Sequence, residues 1–303
     1  MAKKTNNISF AINCGQKSFL SFGFPLLLSS DSKVIKERKK ELLEEKSINK
    51  NDKTLNKKEE TNDYRRRMAF LDSLLSEHFN NSELTEEDIR EEVDTFMFEG
   101  HDTTSMAISW TLHLIGLNQQ IQDKCHHELD NIFFGTGSSD RPINMNDLRQ
   151  MKYLEACIKE ALRLFPSVPF VGRQMSEDLK INGYTVPKGV TCLVVLHQVH
   201  RDPQCYPEPE VYRPERFLGD NIHLTRHPFA FVPFSAGPRN CVGQKFALLE
   251  EKTILATILR KYSIESLNFT DEIKVAPEMV IRPKTPISMR FSSRHISSEY
   301  EFI

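Results

Sequence analysis

One cysteine stands in a segment whose residue types suit the presentation of a sulfur atom. Residues 234–243 read FSAGPRNCVG, with Cys241 set between Gly237 and Gly243. Gly237 permits a sharp turn that a side chain would oppose, and Gly243 lets a partner approach closely. A helix that begins at Cys241 would favour the thiolate, which is the form that binds a metal. Arg239, two residues earlier, would supply a fixed positive charge for a carboxylate on the bound group.

A second unusual segment is FEGHDTTS, residues 98–105. Glycine, histidine, aspartate and threonine are poor helix formers, yet here they occur together in the middle of a predicted helix. A threonine hydroxyl can bond to a carbonyl one turn back and open the helical ladder. The pattern predicts a bulge or kink of the kind found at functional sites. On these residues alone, a kinked core helix without a function explains the segment equally well.

Several helices and short strands must position these two segments. The predicted helices are one at the start of the charged segment 31–67, one over residues 65–79, a long one from a capping box at Thr85–Asp88 to about Leu117, one that ends at Phe165, and one that follows Cys241. The predicted extended segments are a hairpin-like run at 180–189, a strand at 190–197 and a C-terminal hairpin within 273–291. Residues 49–62 are predicted to be a polar linker, and the proline-rich residues 202–217 an ordered loop. The sequence therefore predicts a mainly α protein with a small β-sheet.

The apolar positions also predict a buried stripe on one helix and an apolar face on another. In the helix over 65–79 the predicted buried stripe consists of Phe70, Leu71, Leu74 and Leu75. In the helix after Cys241 the predicted apolar face consists of Val242, Phe246 and Leu249.

Composition argues against several classes of function. The chain of 303 residues has a formal net charge of −2 at pH 7, which gives no indication of nucleic-acid binding. Its six cysteines form no CxxC pair, so a disulfide framework or structural zinc is not expected, and the chain suits a reducing compartment.

The apolar run Phe19–Leu28 is interrupted by Gly23 and Pro25. It is too short for a transmembrane helix, so neither a membrane anchor nor a signal peptide is predicted.

The cysteine segment resembles the cysteine-ligand loop of the cytochrome P-450 monooxygenases, F-x-x-G-x-R-x-C-x-G. The positions that match the pattern are Phe234, Gly237, Arg239, Cys241 and Gly243. The resemblance implies the mainly α fold of that family and a haem b whose iron is bound by the Cys241 thiolate. It also implies that Arg239 contacts a haem propionate and that Phe234 shields the sulfur from water.

A second motif of the family, E-x-x-R, is matched by Glu160 and Arg163. Two other pairs have the same spacing, Glu87 with Arg90 and Glu210 with Arg213. The position just before a helix-ending proline favours Glu160 and Arg163. Arg216, in the later RPERF, looks like the third member of the family's Glu-Arg-Arg cluster. Such a cluster would hold the cysteine loop, and it would be costly to break because one charge would be left unpaired.

The resemblance extends to the predicted long helix. Gly100, Asp102 and Thr103 look like the family's glycine and acid–alcohol pair over the iron, which implies that Asp102 and Thr103 deliver protons to bound oxygen. Arg173 lies where the family often has a second propionate contact. His200 is an alternative candidate for a propionate contact, but a histidine that packs in a helix or loop is the preferred interpretation.

Residues 92–104, EVDTFMFEGHDTT, are similar to the fatty-acid ω-hydroxylase branch of the family, family 4. There a glutamate, here Glu99, stands where many relatives have alanine or glycine. The resemblance implies an ester bond between Glu99 and a haem methyl group. The alternative is a carboxylate on a polar face of the helix. A tethered haem would suit attack on a terminal C–H bond, since selectivity for that bond needs a rigid approach.

The resemblance covers roughly residues 33–290, which leaves residues 1–32 unassigned and 291–303 as a tail. From the resemblance, we expect no counterpart in this sequence of the family's N-terminal portion, with its membrane anchor and the helices over the substrate. We therefore expect the catalytic portion of a haem-thiolate monooxygenase that acts on fatty acids or similar small apolar substrates. By resemblance it would receive electrons from an NADPH-dependent flavoprotein reductase, with cytochrome b5 as a further donor, at the cytosolic face of the endoplasmic reticulum membrane.

Two alternatives stay open at this point. The first is a truncated, catalytically inactive remnant that binds haem weakly or not at all. The second is a haem-thiolate isomerase that uses no dioxygen, against which Asp102 and Thr103 argue. Two histidine groups are not predicted to bind metal, namely His197 with His200 and His126–His127 with Glu128. The first pair lies in a predicted extended stretch, where that spacing would direct the side chains apart.

Overall fold

The computed structural model describes residues 8–12, 33–45, 68–81, 84–134, 141–219 and 226–294. The chain divides into two compact units, one of Met1–Gly15 with His101–Ile303 and one of Gln16–Gly100. Some of the predictions lie outside the described residues. These concern Cys14, the run Phe19–Leu28, the linker 49–62, the first residues of the helix predicted over 65–79 and the tail beyond residue 294.

Helices make up most of the described structure. They are α1 (33–45), α2 (Phe70–Asn80), α3 (Glu86–Leu117), α4 (Gln119–Phe134), α5 (Met145–Gln150), α6 (Lys152–Leu164), α7 (Leu196–Val199) and α8 (Gln244–Lys261). Short 3-10 turns are found at Pro214–Phe217, Pro228–Ala230 and Thr270–Glu272. The prediction of a mainly α chain is confirmed.

The strands form small antiparallel sheets. They are β1 (Ile8–Ile12), β2 (Val171–Gln174), β3 (Leu179–Ile181), β4 (Tyr184–Val186), β5 (Thr191–Val194), β6 (Tyr262–Ser266), β7 (Val275–Pro277), β8 (Ile281–Pro283) and β9 (Ile287–Ser293). The largest described sheet has the order β1-β9-β6, and the other strands pair as β2 with β5, β3 with β4 and β7 with β8. The sequence analysis had assigned no structure to residues 8–12, which pair with β9 from Ile8 opposite Phe291 to Ile12 opposite Ile287.

The unit Gln16–Gly100 has a small core of its own. Ile35 from α1, Leu75 from α2 and Ile89 from α3 are buried together. The predicted stripe on α2 is correct for Leu75 and wrong for Phe70, which is 43% exposed. The Phe70 ring lies 4.3 Å from the Phe96 ring, centre to centre, so it is covered on one side by a neighbouring aromatic side chain.

Helix α3 begins and ends as predicted. The Asp88 backbone N–H donates to Oγ1 of Thr85 at 3.2 Å, and the Thr85 N–H donates to Oδ2 of Asp88 at 2.8 Å, which is the predicted capping box. The bulge predicted at residues 98–105 is not found, because α3 is α-helical throughout. Ser105 donates to the carbonyl of Asp102 at 2.9 Å, so a hydroxyl bonds back to the previous turn without opening the helix.

In the other unit, α3 packs closely against β6. A β-carbon on Gly116 would lie 2.9 Å from the backbone nitrogen of Ser266, so only glycine fits at this contact. His113 of α3 bonds to Oγ of Ser266 at 2.7 Å and to Oγ1 of Thr270 at 3.0 Å. Burial lowers the pKa of His113 to about 4. This histidine is therefore neutral and holds the chain that follows β6.

The strand and loop predictions are largely confirmed. The turn between β3 and β4 has positive φ at both Asn182 (49°) and Gly183 (85°), as expected for a two-residue hairpin turn. Strands β7 and β8 form the predicted C-terminal hairpin. The segment 190–197 is only partly extended, because Leu196–Val199 form the short helix α7.

Candidate functional site

The loop before Cys241 is shaped by nested turns. The Ser235 N–H donates to the Val232 carbonyl at 3.0 Å, and the Asn240 N–H donates to the Gly237 carbonyl at 3.1 Å. Gly237 has a φ of 85° and Ser235 one of 60°, so the predicted role of the glycine in a sharp turn is confirmed. The Cys241 N–H closes the loop by donating to the Phe234 carbonyl at 2.9 Å.

The cysteine lies at the exposed end of this loop. Its thiol is free and exposed. A β-carbon on Gly243 would lie 3.8 Å from Sγ of Cys241, so the glycine leaves space directly beside the sulfur. The helix begins later than predicted, because Gly243 is the N-cap and Gln244 the first residue of α8. Cys241 thus precedes the helix by three residues, because the loop closes on Phe234 before the helical bonds begin.

Large apolar side chains close to Cys241 in sequence are exposed. Val242 is 83% exposed and Phe246 is 72% exposed, whereas Leu249 of the same predicted apolar face packs against the core. The helix also packs on the core through Leu255, Ala256 and Leu259. Large exposed apolar side chains in one segment usually mark a contact site.

Phe234, at the start of the loop, packs inward. It is half-buried, packs against the main core and lines a small cavity with Leu162 and Leu248. Its position ties the start of the loop to α6 and α8. The structure thus places Phe234 at the base of the loop, where it supports the turn that presents the sulfur.

Two arginines lie on the loop or contact it. Arg173, in β2, donates from Nη2 to Oγ of Ser235 at 3.2 Å and from Nη1 to its neighbour's carbonyl, that of Gly172, at 2.8 Å. Arg239 is part of the loop itself and is exposed. The structure therefore brings Arg173 to the cysteine loop, although 68 residues of sequence separate it from Cys241.

Glu160, Arg163 and Arg216 are brought together in the interior. Arg163 donates from Nε and Nη2 to the two carboxylate oxygens of Glu160, both at 2.8 Å, and neither side chain is exposed. Arg216 donates from Nε to Oε1 of Glu160 at 3.2 Å. The backbone N–H of Arg213 reaches the same oxygen at 3.0 Å. The carboxylate therefore binds two guanidinium groups and one backbone N–H.

Arg163 also holds the proline-rich loop in place. Arg163 donates to the carbonyls of His200, Pro209 and Val211 at 3.0, 2.7 and 3.2 Å. Its guanidinium also lies 5.0 Å from the centre of the Tyr206 ring. These contacts explain how residues 202–217 are ordered with little regular secondary structure, as the sequence predicted.

The acid–alcohol pair lies on α3, in the unit that contains Cys241. Asp102 is buried, and its carboxylate accepts from Nη2 of Arg282 in β8 at 2.6 and 2.5 Å. Thr103 is half-buried, and its carbonyl accepts from Oγ of Ser167 at 2.8 Å. Arg282 was not among the residues predicted for the site. The available signal was an arginine between two apolar residues of a predicted strand, where a charge needs a partner.

Glu99 and Gly100 belong to the unit Gln16–Gly100. Glu99 is exposed. A β-carbon on Gly100 would have no described atom within 4 Å, so packing within the described residues does not require glycine at this position.

The histidines have structural roles. His200 is fully buried, and its Nε2 accepts from the Val232 N–H at 3.0 Å. Burial, together with Arg163 and Arg201, lowers its pKa to about 3, so it packs as a neutral ring beneath the loop. The extended backbone expected around His197 is wrong, since this residue lies in α7. Among the described residues, no group of three or more His, Cys, Asp or Glu side chains could hold a metal ion.

Glu128, in the group His126–His127–Glu128, caps a helix. Its carboxylate accepts from the N–H groups of Tyr153 at 2.6 Å and Leu154 at 3.0 Å, in the first turn of α6. Burial raises the pKa of this carboxyl. Because α6 carries Glu160 and Arg163, Glu128 helps to fix the helix on which the buried cluster is built.

The residues around Cys241 fit a haem group. An exposed thiol can bind the iron, and Gly243 leaves space beside it. The exposed side chains of Val242 and Phe246 offer an apolar surface to a flat macrocycle. Arg173 and Arg239 supply positive charge for two propionates. A thiolate can bind haem iron, and an apolar surface with two nearby cations suits the macrocycle and its propionates.

Comparisons with known proteins indicate the family of the chain. Residues 9–291 match the family model described as cytochrome P450. The match begins within the segment that the sequence analysis left unassigned. The chain is 52% identical over 231 residues to cytochrome P450 4V2 of Mus musculus, covering 76% of this chain and 43% of that protein. It is 48% identical over 230 residues to cytochrome P450 4c3 of Drosophila melanogaster, covering 76% of this chain and 42% of that protein.

A third relative matches more of the chain. Cytochrome P450 4c21 of Blattella germanica is 42% identical over 264 residues, which is 87% of this chain and 51% of that protein. The chain thus spans about half the length of the curated relatives that it matches, or less. Within the described residues, no helix combines the length and apolar character needed to cross a membrane.

Proposed function

The chain belongs to the cytochrome P450 family, within the family 4 group, and from this we propose that it binds haem b through Cys241 and serves as a haem-thiolate monooxygenase. The proposed reaction inserts one oxygen atom of O2 into a C–H bond of a fatty acid or a similar long apolar molecule. The observation that carries the proposal is the exposed Cys241 thiol on a loop shaped by nested turns. A cysteine kept for packing would be buried.

The residues around the thiol would hold the cofactor. Cys241 provides the iron ligand, and Gly243 leaves room for the macrocycle beside the sulfur. Arg173 and Arg239 pair with the two propionates. The hydrogen bond from Arg173 to Ser235 orients that guanidinium before any ligand binds, which lowers the entropic cost of binding. Phe234 and Gly237 keep the shape of the loop.

The buried cluster supports the ligand loop from below. Glu160, Arg163 and Arg216 connect α6 to residues 200–216, and His200 in turn holds the backbone of Val232. A continuous set of hydrogen bonds therefore runs from the cluster to the residues just before Phe234. Support of this kind keeps a binding residue within a fraction of an ångström of its working position.

Haem bound by a thiolate supplies the activation of O2, because the sulfur donates electron density to the iron. The chain must supply protons for this reaction. We assign that task to Asp102 and Thr103, adjacent residues of α3. The Asp102 carboxylate would receive a proton from solvent, and the Thr103 hydroxyl would pass it on. Thr103 is half-buried, and its backbone carbonyl is held by the hydroxyl of Ser167. Both features suit that role.

We further propose that Glu99 forms an ester with a haem methyl group. The support is its position three residues before Asp102 on the same helix and its exposed carboxylate. Ester formation joins a carboxylate oxygen to the methyl carbon, releases a proton and removes two electrons. Turnover with O2 and NADPH would supply the oxidant. Gly100, beside it, leaves open space on the helix.

The electrons for the proposed reaction would come from NADPH through a flavoprotein reductase, with cytochrome b5 as a second donor. We place the protein at the cytosolic face of the endoplasmic reticulum membrane. Membership of the family supports both statements.

The optical spectrum of the reduced, CO-bound protein tests the proposal. Thiolate ligation gives a strongly red-shifted Soret band. The chain is expressed with haem supplied, beside Cys241→Ser and a matched control, Cys205→Ser, at a half-buried cysteine. We expect the red-shifted band in the unmutated chain and the control and its loss in Cys241→Ser. With reductase and NADPH, the unmutated chain and Cys205→Ser should hydroxylate laurate, and Cys241→Ser should not.

A folded chain without the red-shifted band would overturn the proposal. It would favour the second candidate, a catalytically inactive polypeptide that binds haem weakly or not at all. Loss of the band in Cys205→Ser and not in Cys241→Ser would show that the ligand was assigned to the wrong cysteine.

A further inference from the structure

Two neighbouring contacts attach the acid–alcohol pair to the hairpin β7–β8. Both carboxylate oxygens of Asp102 accept from Nη2 of Arg282, at 2.6 and 2.5 Å. Ser167 makes the second connection, since its hydroxyl donates to the Thr103 carbonyl and its own carbonyl accepts from the Ile281 N–H, both at 2.8 Å. Adjacent residues of α3 are thus linked to adjacent residues of β8.

The Arg282 side chain connects a buried group with the surface. The Asp102 side chain is 9% exposed and that of Arg282 is 26% exposed. On its outer side, Nε of Arg282 lies 3.8 Å from Oε2 of Glu278, on the same hairpin. The guanidinium therefore lies between one buried and one exposed carboxylate, and it is the charged partner through which Asp102 is held.

The geometry of the pair limits how the carboxylate can turn. Each carboxylate has about four lone-pair sites. With Arg282 engaging both oxygens, the remaining sites of Asp102 have set directions in which to receive or pass a proton. Ser167 fixes the neighbouring backbone at Thr103 in the same way. The Asp102 carboxylate and the Thr103 backbone are therefore held relative to each other before the reaction begins, which is where proton transfer gains most from preorganisation.

We infer that Arg282 is a positioning residue for proton delivery by Asp102 and Thr103, assisted by Ser167. The inference rests on the proposed function. Arg282 acts through Asp102 and does not itself transfer the proton. The hairpin β7–β8 is thereby part of the working site, although it lies 180 residues further along the chain from Asp102.

The first test measures the pair without haem. Thermal unfolding of the full chain is followed for Arg282→Met, Asp102→Asn and the double variant. Arg282→Met should lower the Tm by several degrees, because Asp102 remains buried without its partner. Adding Asp102→Asn should recover part of the loss. Additive effects of the two substitutions would show that the residues are not coupled and would overturn the inference.

The second test uses the haem-loaded chain with reductase. Arg282→Met should retain the thiolate CO spectrum, while the product formed per NADPH falls roughly 10- to 100-fold and hydrogen peroxide release rises. Arg282→Lys should recover part of the yield. Hydrogen peroxide already carries two protons, so peroxide-driven conversion of laurate should be nearly unchanged. The control is Arg290→Met, an arginine of β9 in an exposed pair with Glu265.

Equal losses in the NADPH-driven and peroxide-driven reactions would show a general structural defect and overturn the positioning role. An unchanged amount of product per NADPH in Arg282→Met would also overturn the positioning role. Absence of the thiolate spectrum in the unmutated chain would overturn the proposed function and, with it, any role of Arg282 in that reaction.

Discussion

Glu160 and Arg163, one helical turn apart on α6, form a two-bond ion pair in which neither side chain is exposed to solvent. An ion pair at this spacing on a helix surface contributes only a few tenths of a kcal/mol. The buried pair differs, because removing one partner leaves the other charge without compensation. The pair also orders the proline-rich loop, because Arg163 donates to three backbone carbonyls there.

We expect Glu160→Gln to lower the free energy of unfolding by about 3–5 kcal/mol, because the amide cannot neutralise Arg163 and Arg216. Urea unfolding followed by circular dichroism measures this. Glu208→Gln is the matched control, since Glu208 pairs with Arg213 at the surface, and it should show no measurable change. If both variants unfolded at the same urea concentration as the unmutated chain, the cluster would not stabilise the fold.

Glu251 of α8 makes stability depend on pH. It is 2% exposed, and burial, with Glu250 nearby, raises its pKa to about 8 from the ordinary 4.5. Between about pH 4.5 and 8 the folded chain holds a proton that the unfolded chain releases, so this carboxyl lowers stability as the pH rises. Glu251→Gln removes the effect.

The Tm difference between Glu251→Gln and the unmutated chain should therefore increase from pH 5 to pH 8 and stay constant above pH 8. The corresponding difference in the free energy of unfolding should be up to about a few kcal/mol. Scans at several pH values measure it. Glu177→Gln, at an exposed carboxylate, is the control and should show a constant difference. A constant difference for Glu251→Gln as well would contradict the assigned pKa.

Two glycines of α3 should respond to alanine in opposite directions. Gly116→Ala places a β-carbon 2.9 Å from the Ser266 nitrogen, and such overpacking costs about 1–3 kcal/mol. Gly100→Ala meets no described atom within 4 Å, and alanine is favoured over glycine in a helix by about 0.5–1 kcal/mol. Thermal unfolding of the haem-free chain should show a lower Tm for Gly116→Ala and a higher Tm for Gly100→Ala. Equal changes would refute the close contact of α3 with β6.

The proposed ester at Glu99 can be tested by extraction. After turnover with reductase and NADPH, haem should remain with the polypeptide in acidic organic solvent. Glu99→Ala should release it and keep the thiolate spectrum. The control is Glu91→Ala, at another exposed carboxylate of α3, which should retain the haem. Release of haem from the unmutated chain after turnover would remove the ester from the proposal and leave the monooxygenase assignment in place.

Local sequence determined the parts of this protein that depend on neighbours in the chain. The capping box at Thr85 and Asp88, the positive φ of Gly237 and the turn at Asn182–Gly183 were all predictable. Each depends on hydrogen bonds or steric limits within a few residues. The five fixed positions of the cysteine loop were enough to indicate the family, since the residues that present the thiol lie within ten positions.

Tertiary structure decided which distant side chains meet. Arg282 reaches Asp102 and Arg173 reaches Ser235 only because strands from separate parts of the chain pack beside α3 and the cysteine loop. Packing also decided which side chains of α8 are buried, since Phe246 lies within the helix and is 72% exposed while Leu255, Ala256 and Leu259 are buried. A sequence pattern specifies the period of an element, whereas the orientation of its faces depends on the elements that pack against it.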